Sequence, residues 1–172
     1  MDTLIIRPYR SEDLNAVKDI FINWNMNLSK SENLEDLETY INSVLDGEIL
    51  HIPKVYQQVP GSGFWVADLA GVVVGMAGIE RLNEVEAEVR RMYVQSGYRR
   101  RGIGIRILSH IEDFCVEERY QRILLSTSEL QEAALALYRA QGYTLVREEI
   151  SERQTLRTIR SGIRRFHFEK QL

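Results

Sequence analysis

The stretch EVRRMYVQSGYRRRGIGIRIL, Glu88 to Leu108, contains the change of period that decides the fold. Its first seven residues continue an alternating pattern typical of a strand, and after Gly104 the apolar side chains recur at helical spacing. Between the two lies RRRGIG, in which three arginines precede a Gly-x-Gly. The stretch therefore predicts a strand, a glycine loop and a helix in direct succession.

The strand predicted over residues 84–94 changes phase near its end. It begins with an apolar and an acidic face, formed by Val85, Ala87 and Val89 and by Glu84, Glu86 and Glu88. Arg91 then takes a position in the apolar phase, while Met92 and Val94 continue on the opposite face. A slip of one residue is what a β-bulge produces, so the pattern predicts a bulge near residues 90–92.

The glycine loop has the chemistry of an anion site. The first backbone amides of a helix have no partner within the helix, and together with the helix dipole they attract negative charge. Gly102 and Gly104 allow close approach to the backbone, and residues 99–101 add positive charge at the same edge. These residues indicate a phosphate or pyrophosphate site, although a solvated helix start is an alternative that the loop alone leaves open.

Several other phosphate and nucleic-acid sites are excluded or disfavoured. The Walker pattern G-x-x-x-x-G-K-[ST] is absent, and Ile107 stands where the dinucleotide fingerprint needs its third glycine. The chain has 22 basic and 25 acidic residues, a net charge of −3, whereas a duplex-binding protein normally carries a basic excess. The arginine triplet is therefore interpreted as a local feature, and no nucleic-acid partner is expected.

The bulk properties predict one globular domain spanning residues 1–172. Apolar residues make up 44% and charged residues 27%, which is ordinary globular composition. The single cysteine, Cys115, cannot form an internal disulfide, so a reducing compartment is expected. No apolar run approaches the roughly 20 residues that span a bilayer, and the first residues do not resemble a signal peptide. We expect a cytoplasmic protein without a membrane partner.

The rest of the chain predicts a mixed α/β fold in which hairpins precede a strand-helix-strand-helix-strand run. A short strand over residues 3–7 and a helix over 12–25, with Ser11 as its N-cap, come first. A second helix over 33–45 is capped by Ser31, and residues 48–63 are predicted to be loop. The remaining elements are strands 64–69 and 72–79, a helix to about 119, strand 123–126, helix 130–140, and strands 144–147 and 164–168.

The glycine loop and a second stretch, LLSTSELQEAALALYRAQGY (residues 124–143), together resemble the GCN5-related N-acetyltransferase (GNAT) superfamily. The match includes the pyrophosphate pattern (Q/R)-x-x-G-x-(G/A) at residues 99–104 and the ending Ala-x-x-Leu-Tyr-x-x-x-Gly-Tyr at residues 134–143. It is specific over residues 85–146. The resemblance implies the GNAT fold, an α/β (α+β) architecture with a mixed, mostly antiparallel sheet of six to seven strands flanked by about four helices.

The resemblance also implies acetyl-CoA as acyl donor. It places the donor's pantetheine arm on backbone groups of the bulged strand and its pyrophosphate on the glycine loop. Gln131 stands where many members have asparagine, and its amide is expected to bond the donor. The implied donor-binding residues are Met92, Val94, Arg99, Arg100, Arg101, Gly102, Ile103, Gly104, Ile105 and Gln131.

Amide formation requires a neutral amine and a stabilised thiolate. Tyr138 matches the family's general acid, the alternative being a half-buried tyrosine on its helix without a catalytic role. Glu88 matches the catalytic glutamate of histone-type members, and Glu80, acting through water, and ordered water alone are alternatives for the base. The three histidines are scattered, so no metal is expected. Cys115, on an apolar helix stripe, is expected in the core.

The expected reaction is N-acetylation of a primary amine, on a small molecule or a peptide, by direct transfer in a ternary complex. A non-catalytic acyl-CoA-binding or regulatory module, a longer acyl chain and a hydroxyl acceptor are alternatives. The acceptor pocket is expected from residues 12–45, 48–63 and 148–163, with four aromatic candidates for its lining, Trp24, Tyr56, Phe64 and Trp65. The equal alternative for each of the four is a place in the core. The acidic strand favours a cationic amine, whereas the arginines of residues 147–165 favour an acidic substrate or a partner subunit, including a homodimer.

Overall fold

The computed structural model describes residues 3–28 and 34–172. Seven strands form one sheet in the order β1-β2-β3-β4-β5-β7-β6. Only β4 and β5 are parallel, and the other five pairs are antiparallel. The strands are β1 (Leu4–Pro8), β2 (Gly63–Leu69), β3 (Val72–Arg81), β4 (Glu86–Val94), β5 (Arg122–Ser128), β6 (Thr144–Ile150) and β7 (Arg164–Gln171).

Helices cover both faces of the sheet, and the described ranges contain four α-helices. They are α1 (Leu14–Leu28), α2 (Leu34–Gly47), α3 (Ile103–Glu117) and α4 (Glu132–Ala140). The predicted order of elements is confirmed, as is the α/β class with a mostly antiparallel sheet. No helix in the described ranges is both long and apolar enough to cross a bilayer.

Two details of the predicted secondary structure are wrong. Residues 48–63 contain a 3₁₀ turn, Ile49–His51, and a short π-helical segment, Pro53–Gln57. Three apolar side chains at spacings of three and four residues, Ile49, Ile52 and Tyr56, are buried there, which stabilises helical turns despite the proline.

The second wrong detail is the predicted N-cap at Ser11. This residue is the first residue of a 3₁₀ turn, Ser11–Asp13, and not its cap. Arg10 occupies the capping position, and its backbone N–H donates to the Asp13 carboxylate at 2.8 Å. The carboxylate at the third position of the turn therefore fixes the cap at Arg10, one residue before the predicted serine. The predicted cap Ser31 and the predicted helix start at residue 33 lie outside the described residues.

The core has two layers, one on each face of the sheet. One layer, which includes Ile107, Leu108 and Ile111 of α3, packs against β2 to β5. The other, which includes Val17 and Phe21 of α1, lies on the opposite face. Helix α3 packs across β1 to β4 on its face of the sheet.

Candidate active site

Strand β4 carries the predicted bulge. In the pairing with β3, Gly78 lies opposite Arg90 and Met76 lies opposite Tyr93, so β4 has one residue more than β3 between these pairs. Arg91, in the extra segment, has a left-handed φ of 53°. A non-glycine residue is rarely left-handed, and such backbone is found mostly at functional sites. The phase slip in the sequence thus located the bulge correctly.

The bulge is where β4 and β5 part. Their parallel pairing extends only from Glu86 opposite Arg122 to Val89 opposite Leu125. Beyond that point both strands line a cleft of about 90 Å³ instead of pairing with each other. The cleft is lined by side chains from β4, β5, α4 and the β6–β7 connection, among them Arg91, Met92, Ser126, Thr127, Gln131, Tyr138, Arg157, Thr158 and Arg165.

Tyr138 of α4 is buried at this cleft. It is 7% exposed, and its hydroxyl lies 4.0 Å from the Met92 sulfur on the bulged strand. Its ring is flanked by those of Tyr143 and Phe168, with centroids 5.9 and 6.1 Å away. Burial raises the pKa of Tyr138 to about 12, because the phenolate loses its hydration there. The hydroxyl therefore keeps its proton at neutral pH.

The glycine loop presents free backbone amides at the N-terminus of α3. Gly102 is the N-cap residue, with a φ of 75°, and Arg100 is also left-handed with a φ of 60°. Within the described chain, the amides of residues 100–105 donate to no protein acceptor, and the first amide to do so is that of Arg106, to Gly102 at 3.1 Å. A Cβ on Gly102 would meet nothing within 4 Å. The loop thus fits an oxyanion at the start of a 15-residue helix.

Gly104 faces the cleft side of the loop. A Cβ there would lie 3.5 Å from Leu137 Cδ2 and 3.6 Å from Met92 Cε, which are ordinary contacts. Of its neighbours, Ile103 is buried in the core and Ile105 is exposed. The structure therefore brings together the loop, the bulged strand and the helix of Tyr138, as the motif predicted.

Two of the three arginine side chains of the loop, those of Arg99 and Arg101, lie against aromatic rings. Arg99 Nε donates to the Val94 carbonyl at 3.2 Å, and its guanidinium lies 5.9 Å from the centre of the Trp24 ring. The Arg101 guanidinium lies 5.4 Å from the ring centre of Tyr98. A ligand that bonds the Val94 carbonyl would displace the Arg99 contact, whereas the backbone amides of the loop need no such change.

Gln131 lies at the N-cap position of α4, on the rim of the cleft. Its Oε1 accepts a hydrogen bond from the Thr127 hydroxyl on β5. This contact orients the side chain amide and leaves its NH₂ group as a donor. The structure thus places Gln131 at the cleft, with its carbonyl already used by the protein.

The two candidate bases, Glu88 and Glu80, both form ion pairs. Glu88, with 13% of its side chain exposed, lies 2.6 Å from Arg157 Nη2. Glu80 lies 2.5 Å from Arg90 Nη1 and 3.4 Å from Arg157. Arg157 belongs to the connection between β6 and β7. This connection therefore places a guanidinium in ion pairs with the carboxylates of both Glu88 and Glu80. An amine that approaches either carboxylate competes with Arg157.

Glu48, which the sequence analysis missed, is the buried anion behind the bulge. Its carboxylate accepts from Arg91 Nε and Nη2, both at 2.7 Å, from Arg90 at 2.6 Å and from the Tyr56 hydroxyl at 3.0 Å. Burial alone would raise the pKa of Glu48, but the hydrogen bonds and charges of Arg91 and Arg90 lower it. Nothing local marked Glu48 as an ion-pair partner, since the two arginines that it binds lie more than 40 residues away in sequence.

Three of the four aromatic residues proposed for the acceptor pocket are core residues. Tyr56, Phe64 and Trp65 are buried in the two layers of the core, since their rings pack against apolar neighbours. Trp24 borders a separate cavity of about 250 Å³ beside Arg99. The helices and the β6–β7 connection do contribute to the cleft, through Asn25, Tyr40 and residues 157–159.

Cys115 is fully buried on the apolar face of α3, and burial raises its pKa to about 12. A thiol with that pKa is protonated at neutral pH and is a poor nucleophile. Among the described residues, no three His, Cys, Asp or Glu side chains cluster as a metal site would require.

The sequence is similar to that of known acetyltransferases. The sequence model of the acetyltransferase (GNAT) family matches residues 26–143. N-acetylaspartate synthetase of Danio rerio is 32% identical over 133 residues, 76% of this chain and 46% of that protein. N-acetyltransferase 8 of Homo sapiens is 31% identical over 109 residues, 60% of this chain and 48% of that protein. The chain thus spans about half the length of these curated relatives.

Solved structures share the fold over nearly the whole chain. A crystal structure of an acetyltransferase from Streptococcus agalactiae superposes with a TM-score of 0.75 at 19% identity, covering 98% of both chains. The PaiA N-acetyltransferase of Thermoplasma acidophilum, solved in complex with coenzyme A, has a TM-score of 0.75 at 19% identity and covers 99% of both chains. These similarities confirm the fold that the glycine-loop motif implied.

Proposed function

Because the chain belongs to the acetyltransferase (GNAT) family, we propose that it transfers the acetyl group of acetyl-CoA to a primary amine by direct transfer in a ternary complex. The observation that carries the proposal is that three features adjoin one another. The bulged end of β4 and the buried Tyr138 line one cleft, and the loop with the free amides lies beside it, where a Cβ on Gly104 would be 3.6 Å from Met92 Cε.

The donor is held by this chain's backbone. The amides of residues 100–105 bind the pyrophosphate oxygens, with Arg99, Arg100 and Arg101 contributing positive charge. Met92, in the bulge, and Val94, two residues after it, contact the pantetheine arm, and the Gln131 amide donates to it. The donor supplies an activated thioester, which a free amine can attack.

Transfer forms a C–N bond and breaks the thioester C–S bond, while one proton leaves the amine and one reaches the sulfur. Tyr138 is protonated over the whole physiological range, since its pKa is about 12. Full proton transfer from such a group to a thiolate, whose own thiol pKa is about 8.5, is uphill. Tyr138 therefore acts chiefly by donating a hydrogen bond to the developing thiolate, and the sulfur gains its proton finally from solvent.

The amine must lose a proton before or during attack. Glu88 is the proposed base, with Glu80 and ordered water as alternatives. Both carboxylates lie within 3.4 Å of Arg157 Nη2. A cationic amine that displaces Arg157 can give its proton directly to one of these carboxylates. If the amine does not contact a carboxylate, a water molecule hydrogen-bonded to the carboxylate relays the proton.

The test is release of the CoA thiol from acetyl-CoA across a panel of amines: amino acids, peptides, polyamines, lysine derivatives and aminoglycosides. We expect at least one amine to accelerate thiol release and to yield an N-acetyl product by mass spectrometry. If CoA binds and no amine or hydroxyl compound accelerates release, the chain is an acyl-CoA-binding module. If CoA does not bind at all, the proposal is wrong at its first step.

A further inference from the structure

Arg165, on β7, is a buried cation without an acidic partner. It is 6% exposed and lines the same cleft as Tyr138 and Met92. Its Nη1 donates to the Thr158 hydroxyl at 2.7 Å and its Nη2 to the Ser126 hydroxyl. Both acceptors are neutral, and within residues 3–28 and 34–172 no carboxylate lies within 4.0 Å of this guanidinium and its Nε has no partner.

The other buried arginines of the site differ in this respect. Arg90 and Arg91 are as buried as Arg165, and each contacts the Glu48 carboxylate within 2.7 Å. The acidic residues whose charges act on Arg165 from a distance are Glu149 and Glu88. Glu88 is held by Arg157 at 2.6 Å, and Glu149 by His167 at 2.7 Å and Arg147 at 3.0 Å.

An uncompensated guanidinium in a buried position is costly, because it gives up hydration without gaining a counter-charge. That cost is visible in the pKa of Arg165, which burial lowers from its usual value. A buried cation is tolerated where a ligand supplies the missing anion, and planar carboxylates match the guanidinium fork. The two hydroxyl contacts from Thr158 and Ser126 hold the fork in place.

The position of Arg165 within the cleft indicates which ligand can supply the anion. Arg165, Ser126 and Thr158 share the cleft with Tyr138, whose hydroxyl marks the reacting end. An acidic group that reaches Arg165 has to enter the cleft, because this side chain is only 6% exposed. A small acceptor with an amine and an acidic group fits both ends better than a folded protein surface does.

We propose that the acceptor is a small amino acid whose carboxylate binds the guanidinium of Arg165 while its amine faces the thioester. This inference rests on the proposed N-acetyltransferase function and specifies its substrate class. It also accounts for the arginine-rich β6–β7 connection, which supplies the Thr158 contact and covers the cleft with Arg157.

The test compares amino acids with their carboxamides, pair by pair, as acceptors of the wild-type protein. Each pair has the same side chain and differs in the anionic group. We expect kcat/KM to be about 100-fold higher for the preferred acid than for its amide, since a truncated buried charge pair usually costs that much. Amides or simple amines acetylated as well as the acids would overturn the inference while leaving the N-acetyltransferase function intact.

A variant locates the preference. Arg165→Gln should reduce the acid-over-amide ratio to within about threefold and leave CoA affinity unchanged. The matched control is Arg164→Gln, which should keep the ratio. Arg164 directly precedes Arg165 on β7, and its exposed side chain lies 3.3 Å from Glu148. If Arg165→Gln does not fold, Arg165→Lys retains the charge, and it should keep a reduced preference of about tenfold. A variant at position 165 with the full wild-type ratio would contradict the assignment.

Discussion

Arg91, the left-handed residue of the β4 bulge, forms a two-point ion pair with Glu48, in which its Nε and Nη2 each lie 2.7 Å from a carboxylate oxygen. The same guanidinium also donates to the Leu156 carbonyl of the β6–β7 connection at 2.6 Å. The strained backbone that opens the sheet at the cleft is therefore held by a buried side-chain contact with the segment after α2. The bulge is stabilised from behind and not only by its neighbours on the sheet.

Glu48→Gln should destabilise the protein by about 3–5 kcal/mol, because it leaves two buried arginines without their shared anion. The free energy of unfolding in urea measures the effect. Asp46→Asn, at an exposed position in the last turn of α2 two residues before Glu48, is the control and should change it by less than about 0.5 kcal/mol. A Glu48→Gln protein as stable as the control would show that the bulge does not depend on this ion pair.

The size of the side chain at position 104 should decide donor binding without changing the fold. Gly104 is not left-handed, and a Cβ there makes only ordinary contacts. We expect Gly104→Ala to retain the rise in melting temperature that CoA produces. Gly104→Leu should lose most of that rise, because its longer side chain occupies the loop where the pyrophosphate binds. An equal rise in both variants would contradict the loop assignment.

Tyr138→Phe should lower kcat by about 100-fold and leave CoA affinity nearly unchanged, because it removes one donor to the developing thiolate. Since the pKa of Tyr138 is about 12, the wild-type rate should rise with pH as the amine deprotonates and should not fall before pH 10. Tyr143→Phe, whose ring lies 5.9 Å from that of Tyr138, is the matched control. An alkaline fall in wild-type rate near pH 9 would assign the acid role to another group.

Glu88→Gln distinguishes a base from a structural partner of Arg157. If Glu88 takes the amine proton, kcat should fall about 100-fold at pH 7, and the loss should shrink at high pH where the amine is already neutral. Glu86→Gln, two residues earlier on β4 and paired with Arg122, is the control. A loss for Glu88→Gln that is the same at every pH would favour Glu80 or water as the base.

Alkaline pH should destabilise the fold from about pH 9 upward. The pKa of Cys115 is raised by burial from 9.0 to about 12, so between these values the unfolded chain loses a proton that the folded chain keeps. The stabilisation is complete below pH 9 and declines towards pH 12. Unfolding in urea at a series of pH values measures the decline, and Cys115→Ala, though less stable throughout, should show a shallower one. Identical slopes would show that the buried thiol does not govern it.

The sequence predicted the fold well where local pattern and motif agreed. The alternation and slip around Arg91 located the bulge, and the Gly-x-Gly located the start of α3. It failed for Ser11, because the Asp13 carboxylate accepts from the backbone N–H of Arg10 and places the cap one residue earlier. It also failed for residues 48–63, where the prolines outweighed a buried helical spacing that only packing makes decisive.

The candidate site divides in the same way. Tyr138, the glycine loop and the bulged strand belong to the motifs that carry the family resemblance, and that resemblance implied that they lie together. Trp65 and Phe64 were proposed for the pocket because the sequence pattern around an aromatic residue is the same in a core and in a binding site, whereas both side chains are buried. Burial distinguishes the two, and burial is a property of the folded chain.

The sequence by itself determined the α/β order, the bulge and the glycine loop, because each depends on neighbours a few residues away, and the family resemblance singled out Tyr138. Tertiary structure alone decided which charges are neutralised. Glu48 meets Arg90 and Arg91, and Arg157 covers Glu88, across separations of 42 to 69 residues. Arg165 is left without an acid within the described chain for the same reason. Whether a buried charge has a partner depends on which distant segments fold against it, and no local pattern contains that information.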